Sequence, residues 1–218
     1  MGLQAAIEID QEDVMGDKAY WEKIYSTKAL DQVSWYQVRP DISLDLIQST
    51  GVSKTAQIID VGAGASTLVD YLLEDGFQHI SVLDISSTAL ARAKTRLGMR
   101  ADQVTWIEAD ITEVTLPPAQ YDVWHDRAVF HFLTDAEERQ SYVATVRRSL
   151  KPGGHIIVAS FALDGPQQCS GLNVVDYSPE NLHGEFGNDF DLVESRQESH
   201  QTPFNTQQNF IYCYCRKR

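Results

Sequence analysis

The sequence predicts an open α/β fold, a doubly wound and mostly parallel sheet with helices on both faces. Three observations predict it. Short apolar, β-branched runs alternate with helical patterns between residues 57 and 161. The first run leads straight into a glycine loop, VGAGAST at 61–67. Two strand-like runs near the end follow one another with no helix between them, so they form an antiparallel hairpin at one sheet edge.

Each element has its own signal. Residues 57–61 (QIIDV), 79–84 (HISVLD), 103–107 (QVTWI), 121–125 (YDVWH) and 154–161 (GHIIVASF) read as strands buried on both faces. Residues 66–75 (STLVDYLLED) read as a helix that opens at Ser66 and stops before Gly76. Residues 87–97 (STALARAKTRL) begin at a Ser/Thr cap and end at Gly98. Residues 135–150 (DAEERQSYVATVRRSL) begin with acids and end with bases, as the helix dipole favours. Lys151-Pro152-Gly153-Gly154 breaks the pattern. A Gly/Pro-containing segment over 163–183 carries one helix from Pro179, and 190–198 (FDLVESRQE) and 208–215 (QNFIYCYC) supply the hairpin. Before the sheet, AYWEKIYS and PDISLDLIQST read as helices around the aromatic SWYQ. Residues 1–50 are expected to form a helical cap or lid segment and 51–218 the ligand-binding domain.

Composition narrows the class. With 218 residues, 43% hydrophobic and 22% charged, the chain can bury a globular core. A formal net charge of −13 repels phosphate backbones, so no nucleic-acid partner is expected; the basic Arg216-Lys217-Arg218 reads as a solvated tail. No apolar run is long enough to span a bilayer, and no membrane partner is expected. The acidic N-terminus lacks the pattern of a secretory signal, and Met1-Gly2 is not followed by Ser or Thr at Ala6, against myristoylation. Cys169, Cys213 and Cys215 make no disulfide framework, which points to a reducing, cytoplasmic compartment. Cys213 and Cys215 share one face of a strand without further ligands at zinc spacing, so no metal is expected.

The chemistry concentrates at the carboxyl ends of the strands, where open α/β sheets bind ligands. Gly62 and Gly64, around Ala63, let the backbone turn sharply and approach a ligand; alone they fit any tight strand–helix turn. Asp84 ends the second strand, where a carboxylate can accept from both ribose hydroxyls of an adenosine. Asp110, in EADI, follows the third strand, where an acid meets an adenine amino group. Asp60 stands two residues before the first glycine. A dinucleotide pyrophosphate would be repelled there, whereas an ammonium would be attracted. The dinucleotide pattern also needs a third glycine where Thr67 stands.

In this order the motifs resemble those of class I S-adenosylmethionine-dependent methyltransferases. IIDVGAGAS is similar to the family's first motif, matching at Asp60, Gly62 and Gly64, with Ser66 in place of a last glycine. LDIS at 83–86 resembles its second-strand acidic motif, EADI at 108–111 its adenine-side motif, YDVWHDRAVFHFL its fourth-strand motif and LKPGGHIIVASF its fifth. YWEKIYSTKALDQVSWYQVRP, CSGL and HQTPFNTQQNF resemble a bacterial subgroup without an assigned acceptor. The resemblance implies a Rossmann-like sheet of seven strands, mostly parallel, with the C-terminal strand reversed. It implies S-adenosyl-L-methionine as cofactor and S-adenosyl-L-homocysteine as product. It assigns Asp60 and the Gly62–Gly64 backbone to the methionine end, Asp84 to the ribose and Asp110 with Ile111 to the adenine, with Ile85 also against the cofactor.

The implied reaction is in-line displacement of methyl from sulfonium, for which the enzyme mainly aligns two reactants and keeps them dry. His125, Asp126 and Arg127 follow the fourth strand, where the family places methionine-side and substrate-side residues; they are the catalytic candidates, with His131 as a further base. Against this, Asp126 and Arg127 can simply pair with each other or cap a helix, and His131 can be a satisfied interior histidine. Tyr25, Trp35 and Tyr36 either turn their rings to the sulfonium or pack the cap onto the sheet, as Trp21 does. Cys169 and His200, expected in loops after the fifth and sixth strands, are candidates for contact with a soft acceptor such as a thiol or metalloid; the alternative, which the residue type favours, is an ordinary buried cysteine. The expected acceptor is a small molecule, and the alternative is a lysine-rich, basic protein drawn to the acidic surface; a binding or scaffold protein without chemistry is the non-enzymatic alternative. Either a monomer or a homodimer is compatible with the sequence.

Overall fold

The computed structural model describes residues 17–218. The readings made on the N-terminal leader and on Met1, Gly2 and Ala6 lie outside the described residues. Strand β1 (Gln57–Val61) leads through the glycine loop to helix α3 (Leu68–Glu74), preceded by α1 (Lys18–Thr27) and α2 (Asp41–Ser49). Then come β2 (His79–Asp84), α4 (Ser87–Leu97), β3 (Val104–Glu108), β4 (Tyr121–Arg127), α5 (Ala136–Ser149) and β5 (Leu150–Phe161). The chain ends with β6 (Gln168–Cys169), β7 (Leu172–Asn173), α6 (Pro179–Phe186), β8 (Phe190–Gln201) and β9 (Gln207–Lys217).

Seven strands make one sheet in the order β3-β2-β1-β4-β5-β9-β8. Neighbours are parallel from β3 to β5, while β9 runs antiparallel to both β5 and β8. The strand order reverses between β1 and β4, which opens a crevice at their carboxyl ends.

Local chemistry sets the helix ends. Ser86 caps α4 by accepting from the Ala89 N–H, Asp135 caps α5 from Glu137, and Ser178 caps α6 from Asn181. At the end of α4, Gly98 takes φ +58°, a conformation that glycine adopts at little cost. Ser66 lies just before α3, where its Oγ accepts from the Leu68 N–H.

Three boundaries differ from expectation. β5 begins at Leu150, because the Lys-Pro-Gly-Gly break is absorbed as a register shift between Tyr121/Leu150 and Val123/His155. β8 runs on to Gln201, so His200 is a strand residue and not a loop residue. The small β6–β7 hairpin sits inside the segment read as irregular, its two-residue strands being too short for a periodic signal.

The period-two alternation of the strands feeds two apolar layers. Ile59, Val61, Trp124, Ile156 and Val158 face α5 and α6, meeting Tyr142, Val146, Leu182 and Phe186. Ile58, Val123, Ile157 and Ala159 face the other way, onto α2, α3 and α4 through Leu44, Ile47, Leu68, Leu72 and Leu90. The N-terminal segment therefore divides. α2 is built into the second layer, whereas α1 lies across the crevice. No helix among the described residues is long and apolar enough to cross a membrane.

Candidate active site

Two cavities adjoin at the crevice and share Tyr25, Trp35, Gly62 and Arg127 as walls. The larger, of about 400 Å³, runs from Asp84 and Asp110 beneath α1 to Cys169, Leu172 and Asn173. The smaller, of about 50 Å³, lies between β1 and α2 and is lined by Asp60, Ala63, Ser43 and His125.

The glycine loop is shaped by what covers it. Gly62 and Gly64 take φ +59° and +55°. A Cβ on Gly62 would overlap the Val129 side chain, and one on Gly64 would overlap the Tyr25 hydroxyl. Asp84 ties the loop to β2: Gly64 N–H donates to its Oδ2 (2.6 Å) and Ser86 N–H to its Oδ1 (2.8 Å). Burial pushes this carboxyl up to about 6, against the pull of those two donors. Each carboxylate oxygen has two lone pairs, so ribose hydroxyls can still be accepted. Asp110 accepts from the Thr112 N–H and hydroxyl through Oδ1 alone (2.8 and 2.7 Å). With Ile85 and Ile111 it lines the larger cavity.

Asp60 and His125 are register partners on adjacent strands. His125 Nδ1 lies 2.7 Å from Asp60 Oδ1, and His125 Nε2 lies 2.8 Å from Ser43 Oγ. Asp60 Oδ2 is buried and has no hydrogen-bond partner among the described residues. An orphaned carboxylate oxygen beside a glycine loop fits a ligand ammonium, and the adjoining cavity carries the acids and apolar side chains that fit an adenosine. The residues present therefore fit S-adenosylmethionine.

Arg127 is anchored between the cavities. It donates from Nε to Tyr212 Oη (2.9 Å), from Nη1 to the Trp35 carbonyl (3.1 Å) and from Nη2 to Glu198 Oε2 (3.3 Å), and its guanidinium lies 4.3 Å from the Phe210 ring centroid. Gln37 donates to the other oxygen of Glu198 (2.6 Å), which fastens the 35–37 stretch to β8. Trp35 lines both cavities and Tyr36 the smaller one. Trp21, Tyr25 and Trp35 form an aromatic group with ring centroids 6.0–6.5 Å apart, closed on one side by Phe132, 5.1 Å from Trp21.

Helix α1 is held at both rims. Glu22 accepts from the Ser87 N–H (2.5 Å), the Ser87 hydroxyl (2.8 Å) and the Thr88 N–H (3.2 Å), placing a carboxylate on the N-terminus of α4. Burial works against ionisation of Glu22, yet these donors outweigh it and hold the carboxyl down at about 2. On the far rim the Tyr20 hydroxyl donates to the Ser170 carbonyl in the β6–β7 turn.

Four candidates do not sit where acid–base chemistry or contact with an acceptor needs them. Asp126 faces the opposite layer from Asp60, because it is one residue out of phase with His125 and Arg127. It accepts from Tyr142 Oη (2.7 Å) and the Val129 N–H (3.0 Å), and it neither pairs with Arg127 nor lines either cavity. Its work is to hold the turn in which Ala128 takes φ +72° and Val129 meets Gly62. His131 is fully buried between Phe132 and Phe161, with both ring nitrogens unpartnered among the described residues, and lines neither cavity. It is thus interior but not satisfied, and burial, with Arg127 adding to it, depresses the imidazole to about 3. His200 gives Nε2 to the Ser34 carbonyl (2.8 Å) and lines neither cavity. His125 reaches the smaller cavity with both nitrogens already engaged. Cys169 does line the larger cavity, and burial pushes its thiol up to about 11, so it is neutral near pH 7. Among the described residues no group of three or more His, Cys, Asp or Glu side chains could hold a metal ion.

Sequence reasoning missed Ser43, Glu22, Val129, Glu198 and Tyr212. Only Glu22 carries a local trace, since its motif YWEKIY is polar at one position of an otherwise aromatic helix face.

Comparison with known proteins agrees with this geometry. Residues 58–154 match the family model described as a methyltransferase domain. The chain is 29% identical over 153 residues to the mouse (Mus musculus) eEF1A lysine and N-terminal methyltransferase, covering 67% of this chain and 22% of that protein. It therefore spans about a fifth of the length of such curated relatives. A structure described as converting a disulfide bond into a thioacetal group during echinomycin biosynthesis superposes with a TM-score of 0.75 at 15% identity, over 92% of both chains. The N-methyltransferase NodS from Bradyrhizobium japonicum, in complex with S-adenosylhomocysteine, superposes with a TM-score of 0.68 at 17% identity, over 92% of this chain and 97% of that one. At such identities the likeness is one of fold. Residues 58–154 thus match a methyltransferase domain, and the motifs and the cavity with its orphaned Asp60 oxygen fit S-adenosylmethionine as the cofactor of such a domain.

Proposed function

We propose that this protein transfers the methyl group of S-adenosylmethionine to a small-molecule acceptor by in-line displacement. The observation that carries the reading is the roofed cavity of about 400 Å³, which leads from the adenosine-type acids Asp84 and Asp110 to a second wall of Trp21, Phe132, Cys169 and Leu172. A site closed over by α1 suits an acceptor that enters whole.

In this reading Asp60 Oδ2 takes the ammonium, and the Gly62–Ala63–Gly64 backbone lies against the methionine end. Asp84 accepts the ribose hydroxyls beside Ile85. Asp110 accepts the adenine amino group, with Ile111 against the ring. Tyr25, Trp35 and Trp21 present rings to the sulfonium, where a cation over an aromatic face is stabilised. The bound cofactor supplies the activated methyl group and its own leaving group. The protein's part is alignment and exclusion of water, by α1 above and the Arg127-anchored Trp35 beside. Neither His125 nor His131 is free to take a proton from an acceptor, so the acceptor brings its own lone pair or loses its proton to solvent.

A basic protein acceptor is the second reading. Asp17, Asp135 and Glu138 stand in the wall of the larger cavity, and the mouse relative's name includes lysine and N-terminal methylation. The inert scaffold is disfavoured because Asp60 Oδ2 is buried with no partner among the described residues, a cost that a bound ammonium removes.

The test is a thermal-shift titration with S-adenosylmethionine, S-adenosylhomocysteine and NAD on the wild type and Asp84→Ala. Methyl-labelled cofactor is then incubated with fractionated cell extract. Saturation at about 100 times the dissociation constant adds roughly 2.7 kcal/mol, a shift on the order of 5–10 °C. Shifts with the two adenosyl ligands only, lost in the variant, and label in the low-molecular-mass fraction support the reading. Label in the protein fraction transfers it to a protein acceptor. A folded sample without an adenosyl shift overturns it.

A further inference from the structure

Three side chains from three elements form a continuous relay beneath the glycine loop. Ser43 on α2, His125 on β4 and Asp60 on β1 are joined by contacts of 2.8 and 2.7 Å, and their residues are 0%, 3% and 2% exposed. The connectivity is that of a hydrolytic Ser-His-Asp group, but the surroundings are not. Ser43 is fully buried where α2 packs on the sheet, and the adjoining cavity of about 50 Å³ has no room for an acyl substrate. The relay points the other way, towards Asp60, whose Oδ2 has no partner among the described residues.

We propose that Ser43 and His125 are positioning residues that hold the Asp60 carboxylate with its free oxygen turned to the ammonium of the cofactor's methionine end. This rests on the reading that the site takes S-adenosylmethionine. A lone carboxylate turns about its last torsion, whose well is broad. The bond from His125 Nδ1 occupies Oδ1 and fixes the carboxylate plane. Ser43, at Nε2, in turn fixes the imidazole, which could otherwise rotate. A neutral ring donates Nδ1–H to Asp60 and accepts the Ser43 hydroxyl at Nε2. A cationic ring donates to both. In either state the geometry at Asp60 is the same. Helix α2 thereby belongs to the cofactor site through Ser43, which acts by way of His125.

The experiment compares S-adenosylhomocysteine with its deaminated analogue, which keeps the carboxylate and lacks only the ammonium. Dissociation constants are measured by competition on the wild type, Ser43→Ala, His125→Gln, His125→Leu and Asp60→Asn, with melting temperatures to show that each variant is folded. The wild type should favour the amino ligand, and Asp60→Asn should abolish that preference. Ser43→Ala should reduce the preference about tenfold while binding of the deaminated analogue stays within about twofold. His125→Gln, whose amide can still donate to Asp60, should retain more of the preference than His125→Leu. Equal weakening of both ligands in Ser43→Ala would show a merely structural role and overturn the proposal, as would an undiminished preference. If the wild type binds neither ligand, the cofactor reading itself fails and the proposal falls with it. That outcome is distinct because it is already seen without any substitution.

Discussion

The Gly64 N–H donates to Asp84 Oδ2 across 2.6 Å, so the carboxyl end of β2 and the cofactor loop after β1 are one hydrogen-bonded unit. Ribose hydroxyls donate more strongly to an ionised carboxylate, which accepts at both oxygens, than to a protonated one, whose O–H is itself a donor. Burial places the Asp84 carboxyl at about 6. The ligand therefore binds the form that prevails above pH 6, and affinity for S-adenosylhomocysteine should fall up to tenfold per pH unit below it. Calorimetric titration between pH 5 and 8, buffers matched for ionic strength, checks this. In Asp84→Asn the slope should flatten and the affinity at pH 8 should drop. A wild-type affinity independent of pH would count against the assigned ribose contact.

Gly64→Ala should damage loop and roof together. The added Cβ meets the Tyr25 hydroxyl, and φ +55° is strained for alanine. A loss of about 1–3 kcal/mol in stability is expected. Removal of the obstructing hydroxyl in Gly64→Ala/Tyr25→Phe should restore part of it, as read by denaturant melts.

The Glu22 carboxylate on the N-terminus of α4 makes the hold of α1 pH-dependent. Its carboxyl is depressed from 4.5 to about 2 in the folded protein. Its contribution is therefore full above pH 4.5 and is lost as the pH falls towards 2. Glu22→Ala should free α1 by about 1 kcal/mol, the scale of a lost helix cap. Amide exchange in residues 18–27 should rise about fivefold at pH 7, and the S-adenosylhomocysteine off-rate should rise with it. Unchanged exchange in α1 would show that the aromatic group alone secures the roof.

His131 should be dispensable for transfer and costly in acid. Its folded imidazole titrates at about 3, against 6.5 when unfolded. The neutral ring's contribution is present above pH 6.5 and is progressively lost as the pH falls from there to about 3. At pH 5 the unfolded chain gains about 2 kcal/mol from protonation. From pH 8 to pH 5, His131→Leu should gain about 2 kcal/mol in stability relative to the wild type, while ligand affinity at pH 8 is unchanged. Equal differences at the two pH values would refute the buried, unpartnered placement.

The legible part of this protein was the part written in local pattern. The alternation of β-branched runs with capped helices gave the sheet, and the final pair of runs gave its reversed strand. The positions of Asp60, Gly62, Gly64, Asp84 and Asp110 relative to strand ends were readable because strand ends are marked by neighbouring residues. The small hairpin at 168–173 was not readable, since two-residue strands have no period. The extent of β8 was not readable either, because a half-exposed edge strand carries polar residues on most positions.

By itself the sequence determined that a carboxylate stands before a glycine loop and two more follow at the ends of the next strands. Tertiary structure alone decided which neighbours of those residues join the site. Consecutive residues of a strand point to opposite faces, so His125 and Arg127 reach the cavities while Asp126, between them, is sealed against Tyr142. Ser43, 82 residues from His125, meets it because α2 packs on that face and not the other. Such meetings depend on strand order and layer, which burial of the whole core selects and no local stretch encodes.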